Sequence, residues 1–138
     1  MAVTQLSVFL DNTAGRLAEV TRILGDAGVN IRGFSVADTA DFGILRLIVN
    51  KEAAAVEALR AAKFTVHEGP VILARVPDSP GGLARALAGF AQRGLNVEYA
   101  YAIVQSIIAF GVEDIAAGEA ILTEEKIPLL HQQELAEL

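Results

Sequence analysis

The feature that most constrains this chain is that it repeats itself. Val8–Arg32 overlays Ala74–Glu98 without a gap, at a shift of 66 positions. Gly15 then falls on Gly81, Leu17 on Leu83, Ala18 on Ala84, Gly28 on Gly94 and Asn30 on Asn96. Further along the shift falls to 63, where Lys63-Phe64 meets Lys126-Ile127, so the second copy has lost three residues. The loss is assigned to the turn after Tyr101, since the segment 37–42 has no full counterpart. Two copies of roughly 65 residues fill the chain, and each must solve the same packing problem.

Within a copy the element order follows from hydrophobic period. Leu6, Val8 and Leu10 alternate with Gln5, Ser7 and Phe9, a strand pattern. Asp11-Asn12-Thr13-Ala14-Gly15 breaks it, and Leu17, Val20, Leu24 and Ala27 follow at helical spacing. Gly28 closes that helix in a left-handed conformation. Residues 31–37 and 43–50 read as strands around Asp38-Thr39-Ala40-Asp41, residues 52–62 as a helix, and residues 64–67 as a last short strand. The second copy gives a strand at 71–76, a helix at 80–93, strands at 97–103 and 107–112, and a helix at 115–123. A final strand at 127–131 is interrupted by Pro128 and is expected at an edge. The tail 132–138 is expected to be frayed or a stub of helix.

Each copy is therefore β-α-β-β-α-β, a ferredoxin-like unit with an antiparallel sheet and both helices on one face. The expected fold class is α+β, with one unit at 1–68, a second at 71–131, and a tail. The joint Glu68-Gly69-Pro70 is too short for a flexible linker, so the units are expected side by side. Pairing through the second strands, near 31–37 and 97–103, is expected to merge their sheets into eight strands and cover two edges.

Composition narrows the function. There is no cysteine, which excludes disulfides, thiolate metal sites and cysteine nucleophiles. His67 and His131 stand without partners at ligand spacing, so no metal or cofactor is expected. No serine, histidine and aspartate grouping suggests a nucleophile with its base. A net charge of −6 with scattered basic residues argues against nucleic-acid binding. The start lacks the pattern of a signal peptide, and no stretch is long enough to span a membrane. A soluble, cytoplasmic protein is the expectation.

The informative places are the two strand-to-helix turns, Leu10-Asp11-Asn12-Thr13-Ala14-Gly15-Arg16-Leu17 and Val76-Pro77-Asp78-Ser79-Pro80-Gly81-Gly82-Leu83. In structural terms Asn12 or Thr13, and Asp78 or Ser79, are good N-caps, and Pro80 suits a first helical turn. In functional terms a helix N-terminus offers free N–H groups to an anion such as a carboxylate. The second pair is Gly28-Val29-Asn30-Ile31 and Gly94-Leu95-Asn96-Val97, where the asparagine either bonds its own backbone or presents its amide beside a strand edge. Tyr99 and Tyr101 face one side of the sheet together, to pack or to wall a pocket.

These turns, with the asparagine pair and the run 37–46, resemble the ACT domain family, twice over nearly the whole chain. The likeness extends to small bacterial proteins made of two ACT domains. It implies a non-catalytic regulatory module that binds an amino acid between domains, where the strand-helix turn of one faces the edge strand of its neighbour. It implies Asp11, Asn12, Ala14, Gly15, Asn30 and Ile31 as ligand residues in the first copy, and Asp78, Pro80, Gly81, Asn96 and Val97 in the second. The implied partners are a free amino acid, a separate enzyme or regulator as target, and a second copy in a homodimer. Ala14 departs from the proline common before this glycine, and the second hairpin is truncated around Gln105-Ser106. Either departure points to a degenerate site, and the alternative is an assembly module that binds no ligand.

Overall fold

The computed structural model describes residues 2–11, 13–38 and 42–138. The expected turn at 38–41 falls largely outside them, as does Asn12. By its packing the chain divides into two compact units, Thr4–Gly69, and Pro70–Leu138 together with Met1–Val3.

The first unit contains β1 (Val3–Asp11), α1 (Arg16–Asp26), β2 (Ile31–Asp38), β3 (Phe42–Val49), α2 (Glu52–Ala61) and the start of β4 (Thr65–Arg75). β3 is central to the antiparallel register, pairing Leu6 with Leu47 and Val8 with Leu45 on β1, and Phe34 with Leu47 on β2. Alternate β1 residues Leu6, Val8 and Leu10 turn inward, because a strand shows successive side chains to opposite faces. They pack with Leu45, Leu47 and Val49 against Val20 and Leu24 of α1 and Ala55, Val56 and Leu59 of α2.

The second unit contains the rest of β4, then α3 (Gly82–Gln92), β5 (Val97–Ala102), β6 (Ile107–Val112), α4 (Ile115–Glu124) and a C-terminal 3-10 turn (Gln132–Glu137). β6 pairs antiparallel with both β4 and β5. Its core gathers Ile72, Ala74 and Val76 with Phe110 and Val112 of β6, Ala86 and Phe90 of α3, and Ile121 and Leu122 of α4. The Phe90 and Phe110 rings meet at 5.3 Å in a tilted contact. The tail is a stub of 3-10 helix anchored by buried Leu135.

The hydrogen-bonded strand order among the described residues is β2-β3-β1-β4-β6-β5. It corrects three expectations. The order holds six strands among the described residues, where eight were expected. The strands expected at 64–67 and 71–76 are one strand, β4, running through Glu68-Gly69-Pro70. The residue before a proline is pushed toward extended backbone, so Gly69-Pro70 continues a strand instead of breaking it. The segment 127–131 forms only a bridge, Leu129 to Ala74, with N–H bonds from Arg75 to the Pro128 carbonyl and from Leu130 to the Leu73 carbonyl. Pro128 has no N–H to extend the ladder.

The four α-helices among the described residues end alike. The residue after the C-cap has positive φ, at Gly28, Lys63, Gly94 and Lys126. The next N–H reaches back five residues, as from Val29 to Leu24 and Leu95 to Phe90, and so satisfies a terminal carbonyl. No helix among the described residues is long and apolar enough to cross a membrane.

Candidate functional site: the paired strand-to-helix turns

Both turns end on a glycine in the same left-handed conformation, Gly15 at φ 86° and Gly81 at φ 86°. These glycines are the N-caps, so among the described residues the caps expected from Thr13, Asp78 or Ser79 side chains do not form. Instead the backbone folds back. Arg16 N–H donates to the Thr13 carbonyl at 3.4 Å, and Gly82 N–H to the Ser79 carbonyl at 3.0 Å. The reason is steric economy: a left-handed glycine enters the helix directly after a tight turn. An added Cβ at Gly15 or Gly81 meets nothing within 4 Å, so both positions face open space. The helical N–H groups of Leu17, Ala18, Leu83 and Ala84 have no intrahelical acceptor, and no cap side chain among the described residues covers them. A helix macrodipole adds partial positive charge there.

Asp11 is the exposed last residue of β1, and its carbonyl accepts from Thr13 N–H at 2.8 Å. Asp78 is exposed inside the second turn. The two are not equivalent, because Asp78 overlays Asn12 and Asp11 overlays Pro77. Ala14 and Pro80 are exposed neighbours of the two glycines.

Asn30 and Ile31 lie at the far end of their sheet from Gly15. Ile31 pairs with Val49 while Asp11 pairs with Phe42, at opposite ends of β3, roughly 23 Å apart at about 3.3 Å per residue. In the second unit Val97 pairs with Val112 while Arg75 pairs with Ile107, the same separation in kind. Each unit therefore brings together its turn residues but holds them apart from its own asparagine. Asn30 is fixed through its backbone: its N–H donates to Asn50 Oδ1 at 2.8 Å, and its carbonyl accepts from Asn50 N–H at 3.2 Å. Asn30 and Asn96 are exposed. Asn96 and Val97 border a cleft of about 400 Å³ with Phe90 and Leu95.

The second turn opens on a cleft of about 510 Å³. Val76–Pro80 and Leu83 form one side, and Ala102, Ser106 and Ile108 the other. The Val76 N–H donates to the Ser106 carbonyl at 3.2 Å, tying the hairpin to the base of the turn. Gln105 and Ser106 have φ 58° and 60°, a strained pair for residues other than glycine, set by the shortened hairpin. Among the described residues that line the cleft, Asp78 alone is charged. Ala102, Ser106 and Ile108 were missed by sequence reasoning, although the truncated hairpin marked their position. The helical spacing that groups Leu17 with Val20 and Leu24 does not bury it: Leu17 and its counterpart Leu83 are 40% and 44% exposed.

The first turn differs in its side chains. Arg16 stands where the second copy has Gly82. Its guanidinium lies 4.5 Å from the centre of the Phe64 ring, and Nη1 donates to Glu19 at 2.6 Å. Gly82 is packed so closely that a Cβ would collide with the Pro77 carbonyl. Tyr99 and Tyr101 stack with ring centres 6.4 Å apart, and Tyr99 lies over Gly111. No group of three or more acidic or histidine residues able to hold a metal occurs among the described residues.

The sequence matches the family described as ACT domain pair over residues 1–138. Protein BT0572 from Bacteroides thetaiotaomicron is similar in structure at a TM-score of 0.93 and 34% identity, over 100% of this chain and 98% of that one. The regulatory subunit of aspartate kinase from Thermus thermophilus, in its ligand-free form, aligns at 0.68 with 18% identity, over 91% of this chain and 93% of that one. The Thermus flavus regulatory subunit aligns at 0.68 with 17% identity, over 91% and 92%. At such identities the two kinase subunits show a shared fold. No match is found among curated proteins.

Proposed function

Since this chain belongs to the ACT domain-pair family, a family of regulatory modules without catalytic function, we propose that it binds a free amino acid and passes its occupancy to a separate protein. The observation that carries this reading is the turn built twice: a left-handed glycine, open space above it, and uncovered N–H groups at the helix start. An α-carboxylate suits those N–H groups and the positive end of the dipole. The ammonium of the same ligand suits Asp11 or Asp78, with the aspartate on the side away from the carboxylate.

The opposite placement of turn and asparagine within each unit supports a ligand shared between domains. The turn residues of one ACT domain (Asp11, Asn12, Ala14 and Gly15, or Asp78, Pro80 and Gly81) then act with the second-strand start of a neighbouring one (Asn30-Ile31 or Asn96-Val97). The kinase subunits named above are regulatory subunits, and this chain is read as a similar module acting in the cytoplasm.

Calorimetry against the free amino acids tests the reading. At least one is expected to bind, and a folded Gly15→Val, Gly81→Val double variant is expected to lose that binding. Unchanged affinity in the double variant excludes the turns as the site. A flat response to every amino acid favours an assembly module without ligand.

A further inference from the structure

The side chain that the ligand carries is written in the walls of the second unit's cleft. Leu83 borders that cleft and is 44% exposed, and Leu87, one turn further on, is 37% exposed, while Phe90 is fully buried. Single exposed leucines are ordinary. This one recurs: Leu17, at the same place after the first copy's glycine, is 40% exposed. Core packing explains neither, since Val20 and Leu24 close the first core and Ala86 and Phe90 the second without them. Ala102 and Ile108 extend the apolar surface across from Leu83.

We infer that the cleft takes an amino acid with an uncharged, apolar side chain, and that Leu83 selects it by packing against that side chain. This rests on the reading that the turn binds an amino acid. The charge inventory points the same way. With Asp78 as the one charged residue among the described lining residues, an acidic side chain meets like charge and no counter-ion among them. A basic side chain competes with the ligand's own ammonium for that single carboxylate, and leaves a cation against apolar walls. At about 510 Å³ the cleft falls within the range of small-molecule sites, with room for a branched or aromatic side chain.

The test is calorimetry on the full chain with leucine, phenylalanine, glycine, aspartate and lysine as probes, for wild type, Leu83→Ser and a Leu17→Ser, Leu83→Ser pair. Leucine or phenylalanine is expected to bind most tightly. Leu83→Ser is expected to weaken that binding roughly tenfold while leaving glycine unchanged, the size of a lost apolar contact. Ala102→Phe, at an exposed strand position, fills the cleft from the opposite wall and is expected to exclude phenylalanine more than glycine. Tighter binding of aspartate or lysine overturns the inference but leaves amino-acid binding standing. Leucine affinity unchanged in both folded variants overturns the role of Leu83 and its cleft. No binding by any probe overturns the inference and counts against the amino-acid reading as well.

Discussion

The two turns share a backbone and differ in almost every side chain around it. Gly15 and Gly81 have the same φ, and the helices after them start with the same leucine and alanine. Yet Arg16 overlays Gly82 and Ala14 overlays Pro80. A backbone kept while its side chains diverge is one that the helix entry demands, whatever is bound. The divergence locates where two otherwise equivalent sites become different. The first turn carries a cation stacked on Phe64, while the second carries prolines, a tightly packed glycine and a shortened hairpin.

Exchanging residues between the copies breaks this comparison most sharply at Arg16 and Gly82. Gly82→Arg places a Cβ into the Pro77 carbonyl, where the turn backbone must move. A loss of about 3 kcal/mol or more is expected in denaturant unfolding, the scale of a severe packing conflict. Arg16→Gly gives up a partly exposed ion pair and a ring contact and adds a flexible residue near a helix start, for about 1 kcal/mol. Equal losses in the two directions contradict the claim that only the second turn is sterically closed.

The glycines themselves sharpen the shared half of the comparison. Gly15→Ala and Gly81→Ala each force an L-residue to φ near 86°, at a cost of roughly 1–2 kcal/mol. Because neither added methyl group meets an atom, the two losses are expected to agree. Thermal unfolding of the single variants checks this. A loss at one position and none at the other means that the turns do not share a conformation.

How much of this was legible in the sequence depends on how local the cause is. Gly28 and Gly94 announce their helix ends because a left-handed residue favours glycine. Lys63 and Lys126 do the same job with no residue-type signal, and only their alignment in the repeat marked them. The N-caps were misread because asparagine, aspartate, serine and threonine are the usual caps, whereas here the backbone closes the turn itself. Leu17 and Leu83 fit the helical period, and period alone does not tell an inward face from one left open beside a turn. The cleft joins Val76–Pro80 and Leu83 to Ala102–Ile108, and that proximity is made by strand pairing across more than twenty residues. Similarly, β4 was read as two strands because Gly-Pro looks like a break, when pairing on both sides holds it extended.

The asparagine pair gives a smaller effect. Asn50→Ala strands the Asn30 N–H, which Asn50 Oδ1 accepts in the first unit. A loss of about 1 kcal/mol is expected, while Glu113→Ala, at the equivalent exposed position, is expected to change stability by about 0.5 kcal/mol or less. Urea unfolding of the two variants checks the contrast, and similar losses contradict it.

The smallest effect comes from the second helix of each copy. Asp114 caps α4, its carboxylate accepting from Ala117 N–H at 3.0 Å. The equivalent residue before α2 is Lys51, which makes no side-chain cap and sets a positive charge at the positive end of a helix dipole. The backbone of Lys51 is already non-helical, as a cap requires, at φ −137° and ψ 79°. Lys51→Asp is therefore expected to stabilise the first unit by about 0.5–1 kcal/mol, and Asp114→Lys to destabilise the second by about 1 kcal/mol. Both residues are exposed, so no packing change accompanies either exchange. Raising the salt concentration is expected to shrink the charge contribution at both positions while leaving the hydrogen-bonded part at Asp114. A salt-independent gain from Lys51→Asp assigns the whole effect to the cap hydrogen bond, and no gain at all shows that the α2 entry cannot bring a carboxylate onto its free N–H groups.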